Sequence, residues 1–227
     1  MTKSESTTET TTATETTTET EAGTRTGVEI AADSALLVID VQKGFDDASY
    51  WGPRNNPAAE ANIAALMDAW QDTGRPVVLV QHASRPGSVL GPDQPGHALK
   101  DFVAERSGKE SLLVTKTVNS AFYGTPDLAD WLGAQDIRQL VVVGIQTNMC
   151  VETTARMGGN LGYDVLVPLD ATHTFDLAGP DGLHLTADQL ATATAVNLQG
   201  GGFARIVSTS ALLEAATTTP LHPAPAA

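Results

Sequence analysis

Five short aliphatic runs, at 35–39, 76–80, 111–114, 140–143 and 164–169, constrain this chain more than anything else in it. Most are continuously apolar rather than alternating, the pattern of strands covered on both faces in a parallel sheet. A weaker sixth run lies at 204–207. Helical patterns fall between the runs. Ile63, Leu66, Met67 and Trp70 stand at i, i+3, i+4 and i+7, which gives one apolar face. Asn56 is the expected N-cap of that helix, Pro57 suits its first turn, and Gly74 suits its stop. Further helices are expected over 126–133, from Cys150 to about 161, and over 186–198. Strands alternating with helices imply right-handed crossovers. The expected fold is therefore α/β, a doubly wound (Rossmann-like), mostly parallel six-stranded sheet with helices on both faces.

The ends are poor material for that core. Residues 1–27 form a Thr/Glu tract with thirteen threonines and no large apolar residue beyond Met1. Such a segment cannot bury enough surface to offset its ordering entropy. The Ala/Thr/Pro-rich stretch 215–227 reads the same way, leaving one domain over 28–214. The single cysteine excludes an internal disulfide and fits a reducing cytosol. No apolar run is long enough to span a bilayer, and the start lacks the apolar stretch of a signal peptide. A soluble cytoplasmic protein is expected. Of the formal charge of −14, the N-terminal tract carries −3, leaving about −11 elsewhere. That balance argues against nucleic acid, and it is compatible with a cationic ligand.

The chemistry concentrates at strand ends. Cys150 follows the fourth run across a short polar loop, at the expected start of a helix. There the helix dipole and unpaired N–H groups favour a thiolate and offer donors to an oxyanion. A lone cysteine is otherwise a small buried hydrophobe, but ligands bind beyond the carboxyl ends of strands in open α/β sheets. Asp40 ends the first run and Lys116 follows the third. Alone, such residues cap turns or meet solvent. On adjacent strands they make a base, a cation and a nucleophile.

The motifs Ile39-Asp40-Val-Gln-Lys-Gly-Phe45, Thr115-Lys116 with Ser120-Ala-Phe-Tyr-Gly-Thr-Pro126, and Gly144-Ile-Gln-Thr-Asn-Met-Cys-Val-Glu-Thr-Thr154 with Asp170-Ala-Thr172 carry a resemblance. In this order they resemble the isochorismatase-like cysteine hydrolases over essentially all of 35–207. The resemblance implies a catalytic triad of Asp40, Lys116 and Cys150. It also implies a non-proline cis peptide at Ile145–Gln146, in a loop that with Met149 would hold the oxyanion. The vinyl-ether-cleaving branch of this family does not need the cysteine, so Cys150 favours amide or lactam hydrolysis through a thioester. Nicotinamidase relatives bind zinc through an Asp-X-His pattern and a second histidine, but no histidine occurs between Asp40 and Val80. No metal and no other cofactor is therefore expected, and His82, His97 and His184 read as turn or surface histidines.

Phe45, Trp51, Phe122 and Tyr123 follow catalytic strand ends and are candidate pocket residues, or core. His173, near Phe175 and Asp176 in a segment where a lid is expected, either orients a loop or touches substrate. Asp46 and Asp47 would welcome a cation. The stretch Phe45–Pro57, with the Thr/Glu-rich start, resembles family members that open a lactam ring in a cationic antibiotic and so inactivate it. The expected partner is a small-molecule amide or lactam, with neither nucleic acid nor membrane, in a homo-oligomer. Two readings stand beside this one: a nicotinamidase-like or N-carbamoyl amide hydrolase, and a non-enzymatic Rossmann-like binding module. The last is disfavoured because only Gly44 follows the first strand where Gly-X-Gly-X-X-Gly would be needed.

Overall fold

The computed structural model describes residues 27–218. The expected N-terminal tail, Gly27 apart, lies outside the described residues, as does the end of the chain from 219. Six strands form one parallel path in the order β3-β2-β1-β4-β5-β9. They are β1 (Ala35–Ile39), β2 (Val77–His82), β3 (Leu112–Lys116), β4 (Gln139–Ile145), β5 (Asp164–Pro168) and β9 (Arg205–Val207). The short β6 (Thr172–His173) pairs with the end of β4, placing Ile145 opposite His173. The hairpin strands β7 (Leu177–Ala178) and β8 (His184–Leu185) pair antiparallel, apart from the main sheet. The helices are α1 (Ala48–Trp51), α2 (Ala59–Asp72), α3 (Asp101–Ala104), α4 (Leu128–Ala134), α5 (Glu152–Asn160), α6 (Ala187–Gly200) and α7 (Thr209–Thr218).

Continuous apolar strands serve two cores at once. Leu36, Val38, Val141 and Val143 pack with Ile63, Leu66, Met67 and Trp70 of α2 and with Leu212 of α7. Leu37, Ile39, Leu140 and Val142 pack with Leu128 and Leu132 of α4, Ala155 of α5 and Leu198 of α6. Successive strand residues face opposite sides, so the sheet is covered on both. The expected doubly wound fold is observed, with the chain reversing direction across the sheet between β1 and β4. That is the switch point at which such sheets leave a crevice.

Three local expectations are corrected. The domain does not stop at 214: α7 runs to Thr218 on the face of α2, with Ala215 and Ala216 buried. Their small side chains read as low complexity in sequence but permit close helix packing. Asn56 is not an N-cap. It adopts φ +46° and gives its amide to the carbonyls of Leu169 and Thr172, while α2 begins after Ala58. Cys150 does not open an α-helix; it lies in a π-helical turn, Thr147–Val151, that precedes α5.

Candidate active site

The carboxyl ends of β1, β2, β3 and β4 converge on one buried cluster. Gly144 makes the convergence possible. It pairs with Ile39 at φ +121°, and a Cβ there would lie 2.1 Å from the Ile39 carbonyl oxygen. Only glycine lets β4 pass so close to β1. The next residues make a cis peptide, Ile145–Gln146, as the resemblance implied. The turn that follows delivers Cys150 to the end of β1.

Asp40 is the residue after β1 and sits in the left-handed region, φ +51°, which aspartate tolerates better than most residues. Its side chain is fully buried. Oδ2 accepts a hydrogen bond from Lys116 Nζ at 2.6 Å, whereas Oδ1 has no partner. The Lys116 ammonium also lies 2.9 Å from His82 Nδ1. A carboxylate oxygen of Asp40, the Cys150 sulfur and a ring nitrogen of His82 all lie within 4.8 Å of one another. The structure thus brings Asp40, Lys116 and Cys150 together and adds His82, which sequence reasoning had set aside.

Electrostatics correct the expectation of a resting thiolate. Burial, reinforced by the neighbouring Asp40 charge, pushes the Cys150 thiol up to about 12 against the pull of Lys116. Burial likewise raises Asp40, with Lys116 opposing. Burial thus favours the neutral form of the thiol beside the Asp40 carboxyl. His82 is held down to about 4, by burial first and then by the charge of Lys116, and is a neutral imidazole.

Among the described residues, Asp40, His82 and Cys150 are the one group with donor spacing suited to a metal. The fit is poor. Lys116 Nζ already takes a lone pair from both Asp40 and His82, and its charge repels a cation placed between them.

The other candidate residues separate. The amides of Met149 and Val151 both donate to the Gln146 carbonyl, so the Met149 N–H is not a free oxyanion donor. Phe45, Trp51 and Phe175 form one aromatic stack, with centroids 5.0 Å apart for Phe45 and Trp51 and 5.4 Å for Trp51 and Phe175. Phe45 and Phe175 belong to the α2-side core. Phe122 is buried in the opposite core with Cys150 and stacks on Tyr163, while Tyr123 is 68% exposed. His173 is buried on β6, edge-on to Phe175, and accepts from Arg54 Nη1 at 3.2 Å.

Asp46 pairs with Lys100 at 2.5 Å, and Asp47 caps α1 through the amides of Ser49 and Tyr50. Neither is a free acidic patch for a cationic ligand. Gln42 was missed altogether. It clamps β1 to β2, accepting from the His82 amide at 2.8 Å and donating to the His82 carbonyl at 3.0 Å. The available signal was position, two residues past a catalytic strand end.

A doubly wound parallel sheet thus brings a cysteine, an aspartate and a lysine together at its switch point. The chain belongs to the isochorismatase family, whose isochorismatase domain matches residues 34–198. It is 38% identical over 180 residues to the isochorismatase family protein YrdC of Bacillus subtilis, covering 79% of this chain and 94% of that one. It is 31% identical over 193 residues to a streptothricin hydrolase of Streptomyces noursei, covering 85% and 68%. A crystal structure of an isochorismatase-family protein from Chromobacterium violaceum superposes with a TM-score of 0.79 at 38% identity, covering 85% of this chain and 98% of that one.

Proposed function

We propose that this isochorismatase-family hydrolase is a metal-independent cysteine amidohydrolase that opens a cyclic amide through a thioester on Cys150. The observation that carries the reading is the buried Asp40 carboxylate, with Oδ2 held by Lys116 and one of its oxygens within 4.8 Å of the Cys150 sulfur. Asp40 takes the thiol proton as sulfur attacks the amide carbon. The Cys150 amide is the donor assigned to the resulting oxyanion. Collapse breaks the C–N bond, the leaving nitrogen takes the proton from Asp40, and a thioester remains. Asp40 then deprotonates water for attack on the thioester, and the proton returns to the departing thiolate. Lys116 keeps Asp40 ionised between steps.

The likeness to streptothricin hydrolase supports the streptolidine lactam of a streptothricin as substrate, a detoxifying role. A smaller planar amide, of the nicotinamide or N-carbamoyl type, is the second reading. It is favoured by the closed site, in which Cys150 is only 8% exposed. The test is incubation with streptothricin, nicotinamide and an N-carbamoyl amide, read by mass spectrometry. A gain of one water by streptothricin, abolished in Cys150→Ser and unaffected by EDTA, is expected. Turnover by Cys150→Ser at wild-type rate would remove the thioester mechanism.

A further inference from the structure

His82 is tied down more tightly than an incidental strand-end histidine needs to be. It is the last residue of β2, in register with Lys116 on β3, and β2 lies between the strands that carry Lys116 and Asp40. Gln42 fixes its backbone from both sides, and His97 Nδ1 lies 3.2 Å from its carbonyl. Its Nδ1 lies 2.9 Å from Lys116 Nζ. An ammonium only donates, so Nδ1 must accept and the ring proton must reside on Nε2. That Nε2–H has no partner among the described residues, and the side chain keeps 14% exposure. Burying such a donor against an apolar group would be costly, which makes a hydrogen-bond acceptor its natural complement.

Resting on the thioester reading above, we propose that His82 contacts substrate, its Nε2–H donating to an acceptor carried on the departing, nitrogen side of the scissile amide. The side follows from placement. Cys150 and its amide take the acyl carbon and its oxygen from the β4 side. The leaving nitrogen must face Asp40, which protonates it, and His82 enters from β2, which lies across β1 from the β4 end that delivers Cys150. Lys116 stands behind His82, so this subsite carries an N–H donor backed by a positive charge. It selects amides whose leaving group bears a carbonyl or another neutral or anionic acceptor near the nitrogen. Any cationic part of the substrate is placed elsewhere.

The test uses N-acetylurea, whose leaving group carries a carbonyl, and N-isopropylacetamide, which has similar shape without it. Nitrophenyl acetate, whose leaving group departs without help, reports separately on Cys150. His82→Asn keeps an acceptor for Lys116 but loses the outer donor, whereas His82→Gln reaches the Nε2 position with an N–H. The expected result is a fall of tenfold or more in the kcat/KM ratio of acetylurea to isopropylacetamide in His82→Asn. His82→Gln should recover part of it, and nitrophenyl acetate should acylate Cys150 in all three proteins. Equal ratios in wild type and His82→Asn would overturn the assignment, as would failure of wild type to cleave acetylurea while nitrophenyl acetate still acylates Cys150. Absence of acylation in wild type would instead overturn the thioester reading. Should Asn disturb the strand end, a His82→Gln ratio within tenfold of wild type supports the donor, and a lower one overturns it.

Discussion

Cys150 and Gly144 show how single residues set this site. A thiol pushed up to about 12 is not an open reagent, because burial and the adjacent Asp40 both favour its neutral form. Iodoacetamide should therefore alkylate Cys150 slowly near neutral pH, with a rate still rising above pH 10. Lys116→Met should slow it further, since Lys116 is the group that favours the thiolate. A rate profile that levels off below pH 8 would show that the thiol is already activated in the free protein. Gly144 acts sterically. Alanine there combines φ +121° with a Cβ 2.1 Å from a backbone oxygen that cannot move alone. Gly144→Ala should cost about 2–5 kcal/mol, from backbone strain plus overpacking. Urea unfolding would measure it, and an unchanged midpoint would mean that β1 and β4 separate without penalty.

Elements differ in how far they could be read from the sequence. β1 was legible to the residue because its aliphatic run begins and ends with the strand. β2 was expected to stop at Val80 because Gln81 and His82 are polar, yet the strand continues to pair with Thr115 and Lys116. That two-residue shortfall is why His82 was read as a turn residue. Asp40, Lys116 and Cys150 were legible because each follows an apolar run. The π-helical turn was not, since nothing local in Thr147–Val151 distinguishes it from a first α-turn. α6 was visible through its start, where Thr186 and Gln189 form a capping box. Thr186→Ala should cost about 1 kcal/mol, the usual worth of such a cap. Chemical denaturation checks this, and a loss under about 0.3 kcal/mol would mean that packing alone sets the helix start.

At the scale of the whole molecule, two histidines held neutral couple the fold to pH. His82 is lowered to about 4 and His173 to about 3, each by burial first, with nearby cations (Lys116 for His82, Arg54 and Lys100 for His173) adding to it. In the unfolded chain both bind a proton below about 6.5. Between 6.5 and these lowered values the unfolded state holds more protons, so stability rises with pH and is lost as pH falls. The cost is absent well above 6.5 and stops growing below about 4 for His82 and about 3 for His173. Carboxylates act in another window. Glu60, lowered by Lys100 and Arg54 against the opposing effect of burial, and Asp68, lowered chiefly by its bond to Arg106, lose their stabilising charge only below the ordinary carboxylate range. Asp40, raised by burial, works in the opposite sense and offsets part of the loss. The interval from about 6 to 5 thus belongs mainly to the histidines, each worth about 1.4 kcal/mol per pH unit once the unfolded form is fully protonated. Replacing His173 with Gln removes one titrating group while leaving the Asp40, Lys116 and His82 cluster intact. Its unfolding free energy should fall with pH distinctly less steeply than that of wild type across this interval. Parallel curves from urea melts at pH 6.0, 5.5 and 5.0 would show that His173 takes up its proton in the folded state as readily as in the unfolded one.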